Sequence, residues 1–564
     1  MRRTKLSLAI AAFAATSMSV AYADTGYRVT DIGSLEGSIH TSPRDINNQG
    51  HIIGQLSDLR AQNVRYDLLD PEVFSFLGED VDLNDLSDAD KLRVRNALIN
   101  GTSIGNNPRF QKLAIVLGYQ FQGANLFELD GFDSLDEETG QRSDSVDFHA
   151  RAINDHGIVV GQSALPFYWL DGTDLQGEEA RFHVRDGFPV AAWTDGNEYK
   201  LLGTDEEKIL GGVSSFIDIN NNHLAVGFGT FIDGFRLEEI YDDCTTDVDE
   251  DGEAINLEPL QACLYRFWYN SSGRAGVVTP ITEERAFVWQ LTAQGDVVSS
   301  RSFGVTFDSE EDAEDPWQTV RYRSVANAVN NHGVIVGTST RQLVQGAFNR
   351  ATIFTDEGAI EAFEADSPYR DVSAFTAIND SNIAVGAATV FAFGAQRQRL
   401  FYMDITNGPS EAVFPTGLYS DVAWAPRAIN NQGLIVGSTE LRGVQGIQRR
   451  SVGFLYDMNT DTTYDLNSFL PCNSEYVINE GVSINDQGEI IASAVRMMDV
   501  EVDGEMVETA RVRTLLLTPD ASQTGCQEQV DDQTQRKGAS ITPFWLGLIG
   551  LISLIAIRRK KHPA

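Results

Sequence analysis

A ten-residue alternation of apolar and polar positions recurs seven times along the chain. The first copy is Asp45-Ile-Asn-Asn-Gln-Gly-His-Ile-Ile-Gly54 and the second Ala152-Ile-Asn-Asp-His-Gly-Ile-Val-Val-Gly161. Others begin at Asp218, Ala328, Ala377, Ala428 and Ser483, the last ending in Ala492 where its siblings have glycine. In each, Asn or Asp side chains can satisfy nearby backbone groups, and Gly, or Asn in its place, tolerates positive φ. A mostly β-branched pair follows, so each copy predicts strand, tight turn, strand. Further apolar runs come after most copies, among them Ala286-Phe-Val-Trp289, Ala351-Thr-Ile-Phe354, Leu400-Phe-Tyr402 and Val452-Gly-Phe-Leu-Tyr456. A turn and a fourth short strand come next, as in Thr463-Tyr-Asp-Leu466.

The anchor asparagines Asn47, Asn154, Asn220, Asn330, Asn379, Asn430 and Asn485 are 107, 66, 110, 49, 51 and 55 residues apart. Spacings near 50 match a four-stranded propeller blade. The prediction is an all-β repeat fold, a seven-bladed β-propeller, with a β-solenoid as the alternative. The long gaps imply insertions near 56–148 and 229–283. Tyr27–Gly33 reads as an outer strand, and Arg511–Leu517 as a third strand lacking a fourth. The first strand can therefore complete the last blade and remove the open edges.

Composition narrows the function. The 564 residues hold 81 acidic and 43 basic side chains, a net charge of −38, with 42% hydrophobic residues. That apolar share excludes wholesale disorder, and the charge argues against nucleic acid as a partner. The basic residues cluster at both ends. Residues 1–23 read as a signal peptide: Arg2, Arg3 and Lys5, then an apolar stretch, then Ala21-Tyr22-Ala23 before Asp24. Residues 541–557 carry no charge and are followed at once by Arg558-Arg-Lys-Lys561, so a single transmembrane helix is expected. The resulting division is a β-repeat domain over 24–520, a stalk over 521–540, the helix, and a basic cytoplasmic tail over 558–564. Export also suits the four cysteines, which allow three connectivities; Cys244 with Cys263 and Cys472 with Cys526 keeps each pair within one region.

The repeated I-N-[ND]-x-G-x-[IV]-[VI]-G unit with its A-F-x-W-like strand resembles the HAF-type extracellular repeat. The layout resembles a family of proteobacterial exported proteins of unknown function, over nearly the whole mature chain. Gly538-Ala-Ser, the apolar helix and the Arg cluster are similar to the glycine-rich sorting tails that an intramembrane rhomboid-type protease cleaves, with Gly-Ala-Ser in place of their glycine pair. The resemblance implies a membrane-anchored protein of a Gram-negative bacterium, with its main domain in the periplasm or at the cell surface, and it brings no activity with it.

One local motif carries specific chemistry. Residues 247–258 match D-x-D-x-D-G-x5-E, the twelve-residue calcium loop. Asp247, Asp249 and Asp251 would face one centre, Glu253 would lend its carbonyl, and Glu258 would bind bidentately. No convincing helix precedes the loop, but Cys244 and Cys263 bracket it. An acidic, solvated insertion is the competing reading. Asp499–Gly504 reads better as a hairpin turn, and Asp80–Asp85 leads into a helix capped by Ser87 or Asp88. Ser309–Asp315 reads as a solvated loop. Four of the eight histidines, His51, His156, His223 and His332, fall in or beside repeat turns, and no zinc-type spacing or serine-nucleophile motif appears. The leading expectation is thus a binding or scaffold module for a glycan or protein ligand, with the insertions as the place to look for specificity and no catalytic residues assigned. A propeller enzyme acting on extracellular polysaccharide is second, and a calcium-stabilised structural envelope protein third.

Overall fold

The computed structural model describes residues 26–526, except 70–73, 78–81, 83–84, 101–103, 105–106, 204–206, 246–257, 274–281, 308–320, 344–345, 393–394, 416–421, 442–449, 503–504 and 524. The expected signal peptide, nearly all of the stalk, the C-terminal apolar segment and the run 309–315 lie outside the described residues. Among the described residues, no helix is long and apolar enough to cross a membrane.

Seven antiparallel sheets form a closed ring, so the fold is a seven-bladed β-propeller and the solenoid alternative falls. The innermost strands are Ser38–Ile46, Phe148–Ile153, Ser214–Ile219, Arg321–Val329, Ser373–Ile378, Trp424–Ile429 and Tyr476–Ile484, in blades 1 to 7. Each of these strands runs into a repeat turn. Among the described residues six blades have four strands and blade 5 has three. Blade 7 borrows its outermost strand from the other end of the chain. Tyr27–Asp31 pairs antiparallel with Glu505–Pro519, Tyr27 opposite Pro519 and Asp31 opposite Leu515.

The apolar pair in each copy explains how the blades stack. Successive residues of a strand point to opposite faces of its sheet. Ile52 accordingly enters the core between blades 7 and 1, while Ile53 enters the core between blades 1 and 2. Val159 and Val160 divide the same way, as do Ile335 with Val336 and Ile435 with Val436. A blade is thus apolar on both faces, and each fully buried side chain of this size stabilises by roughly 1.5–3 kcal/mol. The cores lie between the blades, and every copy of the motif feeds two of them.

The motif's closing glycine has a separate reason. In blades 1 to 6 the innermost strand bulges just before the turn, at Arg44, Arg151, Ile217, Asn327, Thr376 and Arg427. The bulge brings a carbonyl so close that a Cβ on Gly54, Gly161, Gly227, Gly337, Gly386 or Gly437 would lie 1.9–2.2 Å from its oxygen. Blade 7, which has Ala492 instead, carries a second register shift between Ile478 and Glu480.

The insertions arise at one kind of connection. Residues 60–115 of blade 1, 164–189 of blade 2 and 234–281 of blade 3 all join a second strand to a third. They therefore stand on the face opposite the repeat turns. Blade 1 contributes the helix Asp88–Asn100, where Ser87 Oγ accepts from Asp90 N at 3.2 Å, as the capping prediction requires. Blade 2 contributes a hairpin, Tyr168–Thr173 with Glu179–Val184, that the repeat spacing does not reveal. Blade 3 contributes the helices Phe235–Thr245 and Leu260–Gly273. The first of these precedes the acidic loop, contrary to the sequence expectation.

Candidate functional site

At the turn end of the central channel the anchor asparagines form a ring. Each side-chain amide donates to the main-chain carbonyl of the next anchor: Asn47 to Asn154, and so on through Asn220, Asn330, Asn379, Asn430 and Asn485, at 2.9–3.2 Å. Each Oδ1 meanwhile accepts two backbone N–H groups of its own turn, those of Gln49 and His51 in the case of Asn47. The sixth residue of each turn takes positive φ whether it is Gly, as at Gly50, or His223 or Asn382. Turn chemistry legible in sequence is therefore also ring-closing chemistry.

A second ring lies on the first. Asn48, Asp155, Asn221, Asn331, Asp380, Asn431 and Asp486 each present Oδ1 to the backbone N–H of the preceding blade's equivalent residue, at 2.8–3.0 Å. No two aspartates are neighbours. Asp155 Oδ2 accepts from Asn48 and Asn221, Asp380 from Asn331 and Asn431, and Asp486 from Asn431 and, more distantly, Asn48. The double collar lines a cavity of about 200 Å³ together with Asp218 and the isoleucines that precede the anchors. Its polar groups hold one another, so the collar is an internally satisfied structure.

Beyond the collar stand Asp45 and Asp218. Asp45 accepts from Ile153 N and Ile46 N, both at 2.9 Å, and from Ser483 Oγ at 2.8 Å. Asp218 accepts from Val329 N and Ile219 N at 2.9 and 2.8 Å. Each aspartate thereby latches its blade to the next. Burial pushes the Asp45 carboxyl up to about 7, with the charge of Asp218 adding and the three hydrogen bonds opposing. Asp218 is raised by burial as well. The two belong to blades 1 and 3, on innermost strands either side of blade 2.

Next come the bulge residues, three of which are arginines. Arg44 donates to Gln55 Oε1 at 2.6 Å, and Gln55 in turn meets His149 Nδ1 at 3.3 Å. Arg427 donates to Glu480 Oε1 at 2.5 Å. Arg151 has no hydrogen-bond or ion-pair partner among the described residues. Burial depresses the Arg44 guanidinium, Arg151 and Arg427 adding to this and Glu480 opposing. Arg427 lies two blades from Arg44 on the equivalent bulge of its innermost strand. Burial, followed by Arg151 and Arg44, pushes His149 down to about 4, leaving it neutral. Sequence reading missed this belt, although the residue just before each copy is Arg in three of the seven.

On the face opposite the repeat turns the three insertions are tied to one another. His183 N donates to Pro108 O at 2.7 Å and Lys112 N to His183 Nδ1 at 2.9 Å, tying blade 1's insertion to blade 2's hairpin. Gln261 reaches Asp186 at 3.3 Å, adding blade 3's helices. Lys112 is buried, its ammonium over the Tyr265 ring, and burial pushes it down to about 7. Across the ring, long hairpins project from the other blades, with Phe391 76% and Met506 66% exposed.

The predicted cysteine pairs both form, Cys244–Cys263 and Cys472–Cys526. Asp247, Asp249, Asp251 and Glu253 lie outside the described residues. Glu258, at the end of the loop, is ion-paired with Arg266. Among the described residues, no group of three or more His, Cys, Asp or Glu side chains is placed to hold a metal.

No curated protein matches the chain. Among solved structures it is similar to the acylaminoacyl peptidase of Pyrococcus horikoshii, at 11% identity over 84% of this chain and 52% of that one, TM-score 0.32. It is similar also to Trypanosoma rangeli sialidase in complex with 2,3-difluorosialic acid, at 10% identity over 69% and 57% of the respective chains, TM-score 0.27. A puromycin-hydrolyzing peptidase of Mycobacterium tuberculosis gives 9% identity over 83% and 60%, TM-score 0.27. The chain spans about half the length of the acylaminoacyl peptidase it matches. A family profile matches residues 3–560, nearly the whole sequence. The chain belongs to the family described as "Protein of unknown function (DUF3466)".

Proposed function

We propose that this protein is an exported binding module of the bacterial envelope, held by its C-terminal apolar segment, which takes its ligand on the insertion-bearing face. The observation that carries this reading is the placement of all three insertions. They grow from equivalent connections of consecutive blades and interlock on the face opposite the repeat turns. Loops gathered on one face of a rigid scaffold are where binding residues concentrate. Glycan-array and protein-capture measurements with the full chain test it. Ligand binding that is lost when residues 164–189 are replaced by a short turn supports the proposal, and binding indifferent to that change sinks it.

A calcium ion in the loop 247–258 belongs to the same reading. The helices Phe235–Thr245 and Leu260–Gly273 flank that loop, and the Cys244–Cys263 bond joins them. Glu258 would have to leave Arg266 to serve as a ligand. Isothermal titration with calcium checks this, and no heat at millimolar calcium ends the idea.

The second reading, a propeller hydrolase of polysaccharide, is favoured by two buried carboxylates, Asp45 and Asp218, on innermost strands, both raised by burial. Both carboxylates are already engaged as latches between blades, which ranks it lower. Turnover of any polysaccharide, abolished by Asp218→Asn, would reverse the ranking.

A further inference from the structure

The bulge position supplies one residue per blade around the channel mouth, and its chemistry is unevenly distributed. Blades 6, 1 and 2 place Arg427, Arg44 and Arg151 there; blades 4 and 5 place Asn327 and Thr376. One arc of the mouth is cationic, with Val482 of blade 7 within it and Ile217 of blade 3 at its edge. In the facing arc Asn327 and Thr376 donate to Phe375 O and Val385 O and offer their side-chain oxygens as acceptors. The cationic arc is also under-compensated. Among the described residues, only Arg427 of the three has a carboxylate in contact, from Glu480. Arg44 is bonded to the neutral Gln55, and Arg151 has no ion-pair or hydrogen-bond partner among the described residues. In a chain of charge −38, two guanidiniums on adjacent blades with no carboxylate in contact among the described residues stand out, although the field of Glu480 reaches Arg44. Arg44 and Arg151 are both exposed to solvent. Like charges on adjacent strands repel, and an anion from solution removes that cost. Guanidiniums also suit carboxylates geometrically, through paired N–H donors.

We propose that the channel mouth binds the carboxylate of an acidic sugar, with Arg44 and Arg151 on the carboxylate and the side-chain oxygens of Asn327 and Thr376, whose own donors are engaged, accepting from the ring hydroxyls. The inference deepens the binding-module reading and names its ligand class. The neutral arc is what favours a uronic acid over an acidic peptide, whose carboxylates come with few hydroxyls.

The test is titration of the full chain with galacturonate, oligogalacturonate, galactose and an oligoglutamate peptide, by calorimetry or saturation-transfer NMR. Galacturonate and its oligomer should bind, and galactose should bind at least tenfold more weakly, the worth of one charge-assisted contact. Arg151→Gln removes a side chain with no hydrogen-bond or ion-pair partner among the described residues, so the fold should survive, and galacturonate affinity should fall roughly tenfold or more. Arg151→Lys keeps the charge without the planar fork and should fall between. Galactose binding as well as galacturonate, unchanged binding in Arg151→Gln, or tighter binding of oligoglutamate than of oligogalacturonate each overturns the proposal. A neutral array ligand that depends on residues 164–189 and ignores Arg151→Gln overturns this inference and leaves the binding-module reading intact. Galacturonate binding that depends on Arg151 and survives removal of 164–189 upholds the inference and sinks that reading.

Discussion

The side-chain amide of Asn485 donates to the main-chain carbonyl of Asn47 at 3.0 Å, across 438 residues of sequence. That bond is the last link of the anchor ring, made by the same atoms that link every other pair of neighbouring blades. Closure of the propeller is therefore written twice, once by the strand Tyr27–Asp31 at the rim and once by this ring at the axis.

Anchor asparagines should be among the most sensitive positions. Asn430 is buried, accepts from Gln432 N and Leu434 N, and donates to Asn485 O. Asn430→Ala leaves two turn N–H groups and a carbonyl short of partners, a loss of about 2–4 kcal/mol. Asn430→Asp keeps the acceptor but turns a carboxylate oxygen toward a carbonyl, and should be comparably damaging. Urea unfolding midpoints check both; a shift no larger than that of an exposed Asn→Ala control would refute the structural role of the ring.

The closing glycines make a prediction of a different kind. A Cβ on Gly227 would lie 1.9 Å from Ser215 O, a main-chain atom that cannot rotate away. Gly227→Ala should cost about 2 kcal/mol or more, as overpacking and a displaced bulge add together. Ala492→Gly should cost only the helix-free backbone entropy of glycine, within about 1 kcal/mol. Equal thermal shifts for the two variants would contradict this account of the bulge.

The two disulfides should differ in reach. Cys472–Cys526 closes a loop with a sequence separation of 54 and pins the chain just after the third strand of blade 7. The chain-entropy argument gives it about 4 kcal/mol. Its double Cys→Ser variant should lower the global unfolding midpoint. The double variant at Cys244 and Cys263, a separation of 19 within one insertion, should mainly raise protease cleavage near residues 234–281. Identical global destabilisation by both would show that the insertion and the ring unfold together.

Stability should also carry a signature of Asp45. Its folded carboxyl titrates near 7, by burial first and then the field of Asp218, against about 3.9 in an unfolded chain. Between those values the folded protein holds the extra proton. The favourable contribution is complete below about pH 4 and is lost as the pH rises toward 7. Asp45→Asn, neutral throughout, should gain on the natural protein from pH 4 to 7, by no more than about 1.4 kcal/mol per pH unit. Denaturant unfolding at several pH values measures the difference, and a constant offset would disprove the assignment.

Much of the architecture was legible because repetition and period-two burial leave direct marks in sequence. Ile52-Ile53 and its counterparts announce strands buried on both faces, and Asn47 and its counterparts count the blades. The closing strand, both cysteine pairs and the helix after Ser87 followed from ordinary local chemistry. The hairpin Tyr168–Val184 was hidden because the interval from Asn154 to Asn220, 66 residues, is close to one blade. Helix Phe235–Thr245 was missed because its acidic residues look like the start of the loop beyond it. The arginine belt was harder still. A bulge re-aims one residue without changing the apolar pattern around it, so Arg44, Arg151 and Arg427 look like ordinary surface positions. What converges on an axis depends on the ring, and the ring exists only after the chain closes.

The second collar has a property that follows from parity. Aspartate and asparagine alternate around it from Asp380 through Asn431, Asp486, Asn48 and Asp155 to Asn221, but an odd ring cannot alternate throughout. One like pair is forced, and it falls at Asn221 and Asn331, between blades 3 and 4, where Asn222 Nδ2 fills the gap by donating to Asn331 O at 2.8 Å. A six- or eight-membered ring would have no such defect. The defect makes one blade junction distinguishable from the other six, so a nearly sevenfold-symmetric scaffold carries a fixed origin from which its unlike blades can be registered.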